Sequence, residues 1–333
     1  MCGAIVASLV LGVGLVAAGL PVPTQAAGAR PAGQSQAPPP PPPPVKAPPL
    51  TIRGTEGMVD VGGRRLHCFV YGAGGPTVVL VSGFQAPQAY WNAVVPGIAE
   101  ITTVVTYDRP GYGRSERGDR PVHGLQTAAD LHVLLGELGV PKPYLLVGHS
   151  YGGRIVRLFA AAYPGDTAGL VLEEAGHEDL AEAQLEALTG KDREILAALI
   201  APFRAAVPDP RTETDFMAET IEQLRRSGPL PRVPLTVITA DSRGSGWPAV
   251  FSPEGQAALA AVAAAMQRKL VDLVPGGEQV LVEGAGHNVH VDKPEAVLEP
   301  IRAIIGRVRA GRGPSGRGIS SMHAPSTGPP APR

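Results

Sequence analysis

Six short runs dense in aliphatic and β-branched residues mark the middle and C-terminal parts of the chain: TVVLV from 77, TTVVTY from 102, YLLVG from 144, AGLVLE from 168, LTVIT from 235 and QVLVE from 279. Each is almost continuously apolar, the pattern of parallel strands covered on both faces. Helical periodicity separates most of them. LQTAADLHVLLGELG sets Leu131, Leu134, Leu135 and Leu138 on one stripe before Gly139 and Pro141 stop the helix. GRIVRLFAAAYP aligns Ile155, Leu158, Phe159 and Ala162 ahead of Pro164, and PEAVLEPIRAIIGRV is the last such segment. Upstream, MVDVGGRRLHCFVY reads as a hairpin turning at Gly62 and Gly63. An antiparallel start followed by β-α alternation predicts an α/β domain with a doubly wound, mostly parallel sheet.

One gap breaks the alternation. Between LVLEE and VPLTVIT, at about 177–231, no strand pattern occurs, only helical segments such as DLAEAQLEALTG, REILAALIAPFRAAV and ETDFMAETIEQLRR. The insertion leaves from the C-terminal end of a strand, where open α/β sheets place their ligand crevice. A helical lid over an active site is the expectation.

The two ends of the chain differ from this core. Residues 1–29 hold an apolar stretch, AIVASLVLGVGLVAAGL, followed by small residues near Ala26–Ala29 that resemble an export cleavage site. The stretch lacks a basic flank and approaches the ~18 residues of a membrane span, so anchoring through residues 4–20 is the alternative to cleavage and release (secreted or periplasmic). Residues 30–49 form a linker containing PPPPPPP at 38–44, expected as an extended polyproline spacer. The Gly-, Ser- and Pro-rich tail, 311–333, is expected to be disordered. That leaves 50–310 for a single α/β domain.

Net charge is −1, with no long run of one sign in the central part, so nothing points to nucleic-acid binding. Cys68 remains alone if the segment holding Cys2 is removed; it reads as a small buried hydrophobe, and no metal-ligand cluster or disulfide is expected.

The chemistry concentrates in LLVGHSYGGRIV, residues 145–156. A strand turning sharply into a helix needs small neighbours at the corner, and Gly148 and Gly152 flank Ser150 at two residues either side. Such a turn lifts the Ser150 hydroxyl above the sheet and leaves the Tyr151 N–H at a helix N-terminus, aimed at a developing oxyanion. A helix-capping serine is the bland alternative. A hydroxyl needs a base within hydrogen-bond reach. His287, in a Gly-Ala-Gly-His loop just after the last of the six strands, is the first choice, and His290 is its rival. A second oxyanion donor is expected from the Phe84 N–H, after the turn that Gly83 permits.

With these pieces in place the chain resembles the α/β-hydrolase superfamily across roughly 66–308. The resemblance rests on SGF after the first parallel strand, YDRPGYGRS for a D-x-P-G-x-G-x-S loop, GHSYGG for the nucleophile elbow and GAGH for the catalytic histidine, all in order. It implies Ser150 as nucleophile, His287 as general base, and the Phe84 and Tyr151 N–H groups as the oxyanion hole. In the DRPGYGRS loop the glycines are expected to serve loop geometry, with direct chemistry by Asp108 as the alternative. Relatives that open epoxides or remove halides carry aspartate at the elbow, so a serine implies an acyl-enzyme and cleavage of an ester or related acyl bond. Amide or carbon–carbon bond cleavage on the same triad, or a binding module of the same fold, are the alternatives. No cofactor and no metal are implied; the expected partner is a small-molecule substrate.

The triad acid has two candidate positions. The family most often places it after the later strand, where PLTVITADSRG offers Asp241 two residues early; some members place it one strand sooner, which LEEAGH matches with Glu174. Glu174 is favoured and Asp241 is the alternative. Glu173, pointing to the opposite side of the strand, is expected to be solvated or to touch the lid.

Overall fold

The computed structural model describes residues 49–204, 211–241, 250–311 and 320–322. The export segment and most of the linker, and most of the tail, lie outside the described residues. The apolar runs form strands β3 (Thr77–Val81), β4 (Val104–Tyr107), β5 (Tyr144–His149), β6 (Thr167–Glu173), β7 (Leu235–Ala240) and β8 (Glu278–Val282). They pair parallel, with β3 between β4 and β5. Ahead of them β1 (Thr55–Asp60) and β2 (Arg65–Tyr71) form the expected hairpin, and β2 joins β4 antiparallel. The sheet order is β1-β2-β4-β3-β5-β6-β7-β8-β9. The ninth strand, Ser320–Met322, pairs parallel with β8 and lies within the stretch expected to be unstructured. Edge pairing supplies backbone partners there without any apolar pattern in the sequence.

Every residue of β3 to β7 is buried, because helices cover both faces. On one face lie α2 (Gly124–Glu137), α3 (Tyr151–Ala162) and α7 (Pro253–Val271), whose Leu131, Leu134, Phe159 and Leu259 pack on Val79, Leu146, Leu170 and Leu172. On the other, α1 (Val95–Ala99), α8 (Val289–Asp292) and α9 (Pro294–Arg309) bring Ile98, Val289 and Ile301 against Val78, Leu145 and Val171. Strand alternation assigns odd and even positions of β6 to opposite faces, which decides where Glu173 goes.

Between β6 and β7 the chain leaves the sheet and forms α4 (Leu180–Ala187), α5 (Gly190–Arg204) and α6 (Met217–Arg226). This insert is tied down through its α6 end. The Thr220 hydroxyl accepts from the Gly124 N–H at 2.9 Å, and Gln223 Oε1 accepts from the Leu125 N–H at 2.9 Å.

Candidate active site

At the end of β5 the backbone turns at Ser150, which adopts φ 53° and ψ −118°. A non-glycine residue at positive φ is strained, and the surroundings hold it there. The Ser150 N–H donates to the Glu173 carbonyl at 2.9 Å, and its own carbonyl accepts from Gly153 N–H at 3.0 Å and Gly176 N–H at 3.4 Å. The corner closes only because its neighbours lack side chains. A Cβ on Gly152 would strike the Val81 carbonyl oxygen, and one on Gly148 would lie 2.6 Å from the Gly152 oxygen. Ser150 makes no side-chain cap to α3. The capping alternative is thereby removed.

The Tyr151 and Phe84 N–H groups donate to no described residue, which leaves two donors open at the top of β3 and β5. The loop carrying Phe84 is held from beneath by Arg109, a residue to which sequence reasoning gave no role. Its Nη1 donates to Ser82 O at 2.6 Å and Nη2 to Gly83 O at 2.9 Å. The same guanidinium takes Glu213 of the insert at 2.6 and 2.9 Å, both partners being buried. Its carbon also lies 5.6 Å from the centre of the Tyr151 ring. The DRPGYGRS motif announced a loop, but Arg109's work depends on an insert residue with no motif of its own.

His287 follows β8, and its Nδ1 lies 3.3 Å from Glu174 Oε2. The other Glu174 oxygen accepts from the Ala240 N–H at 2.8 Å. Glu174 sits at φ 46°, just past the end of β6, so the chain swings its carboxylate toward β7 and β8 instead of continuing the strand. Nε2 of His287 is buried with no hydrogen-bond partner. Burial pushes Glu174 up to about 8, against the opposing Ala240 N–H, and pushes His287 down to about 4. Both shifts favour the uncharged forms. Asp241 lies just past β7 with its N–H on the Val282 carbonyl at 2.9 Å. Of the two candidate acids, Glu174 is the one whose carboxylate meets His287.

Glu173 corrects the expectation of a solvated carboxylate. It is fully buried and accepts from the His290 N–H at 2.8 Å and from His290 Nδ1 at 2.7 Å. The alternation was right but its consequence was not: the opposite face of β6 is covered by α8 and α9, so a side chain directed there enters a second core. Burial alone would raise Glu173; the charge and hydrogen bonds of His290 outweigh it and hold the carboxyl below its ordinary value. His290, the rival base, is thus engaged beneath the site, with its ring 4.5 Å from that of Trp91. His149 joins the same cluster, its Nε2 bonded to the His287 carbonyl at 3.0 Å.

No metal-ligand cluster was expected, yet ligand atoms of His149, Glu173 and His290 lie within 4.8 Å of one another. Folding gathers them from β5, β6 and α8, with no spacing signature in the sequence. The 2.7 Å Glu173–His290 bond and the His149–His287 bond already engage all three residues.

The remaining expectations fall into place around this centre. Asp108 accepts from the Gln88 and Arg114 N–H groups at 2.9 and 3.1 Å and pairs with His67 at 2.8 Å, which makes it a loop anchor. Cys68 is buried and its thiol is pushed up to about 11 by burial.

The alpha/beta hydrolase family model matches residues 78–299, well over half the chain. The chain belongs to that family. The uncharacterized protein YqjL of Bacillus subtilis is 25% identical over 229 residues, which cover 68% of this chain and 82% of YqjL. The fluoroacetate dehalogenase of a Burkholderia species is 34% identical over 120 residues, but these span only 34% of this chain and 39% of the dehalogenase. Among solved structures, a thermophilic esterase from Thermogutta terrifontis superposes with a TM-score of 0.52 at 20% identity, over 77% of this chain and 99% of the esterase. At that identity the likeness shows the shared fold. This hydrolase also has no helix, among the described residues, long and apolar enough to cross a membrane.

Proposed function

We propose that this hydrolase cleaves an ester or related acyl bond through an acyl-enzyme on Ser150. The observation that carries the reading is the strained Ser150 corner, with two open N–H donors beside it and a buried His–Glu pair from two other strand ends. With the Nδ1 proton directed at Glu174, the Nε2 lone pair of His287 is available as base. Ser150 Oγ attacks the acyl carbon as its proton passes to His287 Nε2, and the Phe84 and Tyr151 N–H groups stabilise the oxyanion. Collapse expels the alcohol, which takes the proton from Nε2. Water, deprotonated by the same nitrogen, then attacks the acyl-serine and releases the carboxylic acid with Ser150 restored. No metal or organic cofactor enters this sequence.

The insert at about 177–231 acts as a lid in this reading, supported by the contacts that join it to the site: Glu213 to Arg109, and the Thr220 hydroxyl 3.5 Å from that of Tyr151. Export through residues 1–29 completes the proposal, resting on the sequence pattern alone. The test is a fluorophosphonate probe followed by peptide mapping, together with hydrolysis of 4-nitrophenyl acetate. Labelling at Ser150, with turnover that survives EDTA and vanishes in Ser150→Ala, is expected. An unlabelled serine in folded protein would leave a binding module as the answer.

A further inference from the structure

Arg154 lies one helical turn beyond Ser150 on α3 and is only 1% exposed, yet it has no carboxylate partner among the described residues. Its Nη1 donates to the thioether of Met217 at 2.9 Å, a weak acceptor, and its Nε is buried with no partner at all. The nearby carboxylates are committed elsewhere. Glu178 takes both Nη atoms of Arg157 at 2.7 and 2.9 Å, and Glu182 is held by Arg204 at 2.8 Å and Arg225 at 3.3 Å. Burial pulls the Arg154 guanidinium down to about 10, and the more distant charges of Glu178 and Glu182 do not restore it. A buried, unpaired cation is among the most destabilising groups a core can hold.

Its position gives the charge a use. A Cβ on Gly176 would lie 2.8 Å from Arg154 Nη2, so the guanidinium occupies the space that Gly176 leaves empty. Gly176 in turn donates its N–H to the Ser150 carbonyl. The guanidinium therefore packs against the residue that is bonded to the Ser150 backbone, under the first turn of α6, with the polar pair of Tyr151 and Thr220 hydroxyls on that helix's side. The planar guanidinium fork matches a carboxylate with two parallel hydrogen bonds, for which Met217 is a poor substitute.

We propose that Arg154 binds a carboxylate of the substrate, so that the preferred ester carries a second, ionised carboxyl group a short chain away from the acyl carbon. This rests on the reading of Ser150 as the acylated nucleophile. The substrate carboxylate displaces the Met217 thioether and supplies the paired counter-charge that the described residues lack.

The experiment compares the 4-nitrophenyl half-ester of glutaric acid with its methyl-blocked diester, which differs only in the missing charge. The wild-type protein should favour the half-ester in kcat/KM by about 10- to 100-fold, the range of a charge-assisted hydrogen-bonded contact. In Arg154→Met that ratio should collapse toward one, and Arg154→Lys should retain part of it. A merely structural Arg154 would lower both substrates together and leave the ratio unchanged, which overturns the proposal, as does a wild-type protein with no preference. Two measurements need neither turnover nor a folded Met variant. Glutarate, and not glutaramide, should raise the melting temperature of the wild-type protein and slow fluorophosphonate labelling of Ser150. Absence of the thermal shift sinks the Arg154 proposal even where Ser150 labels normally; a shift with no labelling sinks the hydrolase reading and leaves the carboxylate site standing.

Discussion

Replacing Glu174 by Gln removes a charge and almost nothing else. The amide keeps the shape of the carboxyl, and its oxygen can still accept the Ala240 N–H, so the corner after β6 should persist. What disappears is the anion facing the imidazolium that, in the proposed reaction, forms when Ser150 attacks. At 3.3 Å and an effective dielectric of about 20, the attraction between the two charges is roughly 5 kcal/mol. At 1.36 kcal/mol per tenfold in rate, that is a loss of about 10³ to 10⁴ in kcat. The analogous substitution in a serine protease loses about 10⁴.

The assay is hydrolysis of 4-nitrophenyl acetate at pH 8.5, where Glu174, pushed up to about 8, is mostly ionised in the parent. Thermal melts of each variant establish matched folding, and Asp241→Asn serves as comparator. Glu174→Gln should lose three to four orders of magnitude, by the Coulomb estimate above, while Asp241→Asn stays within a few-fold of the parent. A Glu174→Gln enzyme with turnover near the parent's, or a larger loss in Asp241→Asn, would falsify the assignment of the acid.

The pH profile tests the same pair from another side. In the proposed reaction Nε2 of His287 is free as the base only when an ionised Glu174 accepts the Nδ1 proton, and burial raises that carboxyl, so kcat/KM should climb through an apparent pKa above the ordinary histidine value and toward about 8; a plateau already reached at pH 6 would contradict this. Arg109→Met should lose the fork that joins the Ser82 and Gly83 carbonyls to Glu213 and leave that carboxylate unpaired. Breaking this buried pair should destabilise the fold by about 3–5 kcal/mol in urea titrations, and kcat should fall more than KM rises because the Phe84 loop loosens. Stability within 1 kcal/mol of the parent would refute the first part. Gly152→Ala places a methyl group against the Val81 carbonyl oxygen and 2.6 Å from that of Ser82. It should destabilise by about 3 kcal/mol or more, and a soluble variant with the parent's melting temperature would show that the corner can relax.

Most of the sheet was legible because strands buried on both faces must be apolar throughout, and six such runs gave β3 to β8 in order. The elbow was legible for a steric reason. Only glycine fits at 148 and 152 against the crossing backbone, so the geometry writes itself into residue type. The identities of Ser150 and His287 follow from local position, one at a strand-to-helix corner and one just after a strand. The partners that arrive from a distance were harder. Arg109 meets Glu213 from the insert, and Glu173 meets His290 from α8, and neither contact has a local signature. The reading of Glu173 failed at one step: alternation gives the face a side chain points to, and only the tertiary packing says whether that face is wet. The segment 294–308 was visible as the last helical pattern, and the core to which its Val297, Ile301 and Ile304 contribute is what dries Glu173.

The adjacent glutamates at the end of β6 separate two tasks by backbone geometry. Glu173 is still in the strand, enters the α8–α9 core and fixes the loop that carries His287, through the His290 N–H. Glu174 has left the strand at φ 46° and faces the imidazole itself. The two therefore act in opposite senses on stability with pH. Glu173 is held below its ordinary value, so its contribution is present above the unfolded value and is lost as pH falls through the lowered one. Glu174 is raised to about 8, so its contribution is fully present below the unfolded value of 4.5 and is lost as pH rises through about 8. Between those values the unfolded chain ionises while the fold keeps Glu174 protonated, which is what costs stability, and the charge of Glu173 next door raises Glu174 further. A site arranged this way accepts a less stable native state in exchange for a base that works. Glu174→Gln should separate the two effects, abolishing the loss of melting temperature between pH 5 and pH 8 while abolishing turnover. A variant that still loses as much melting temperature over that range as the parent does would place the weakness elsewhere in the chain.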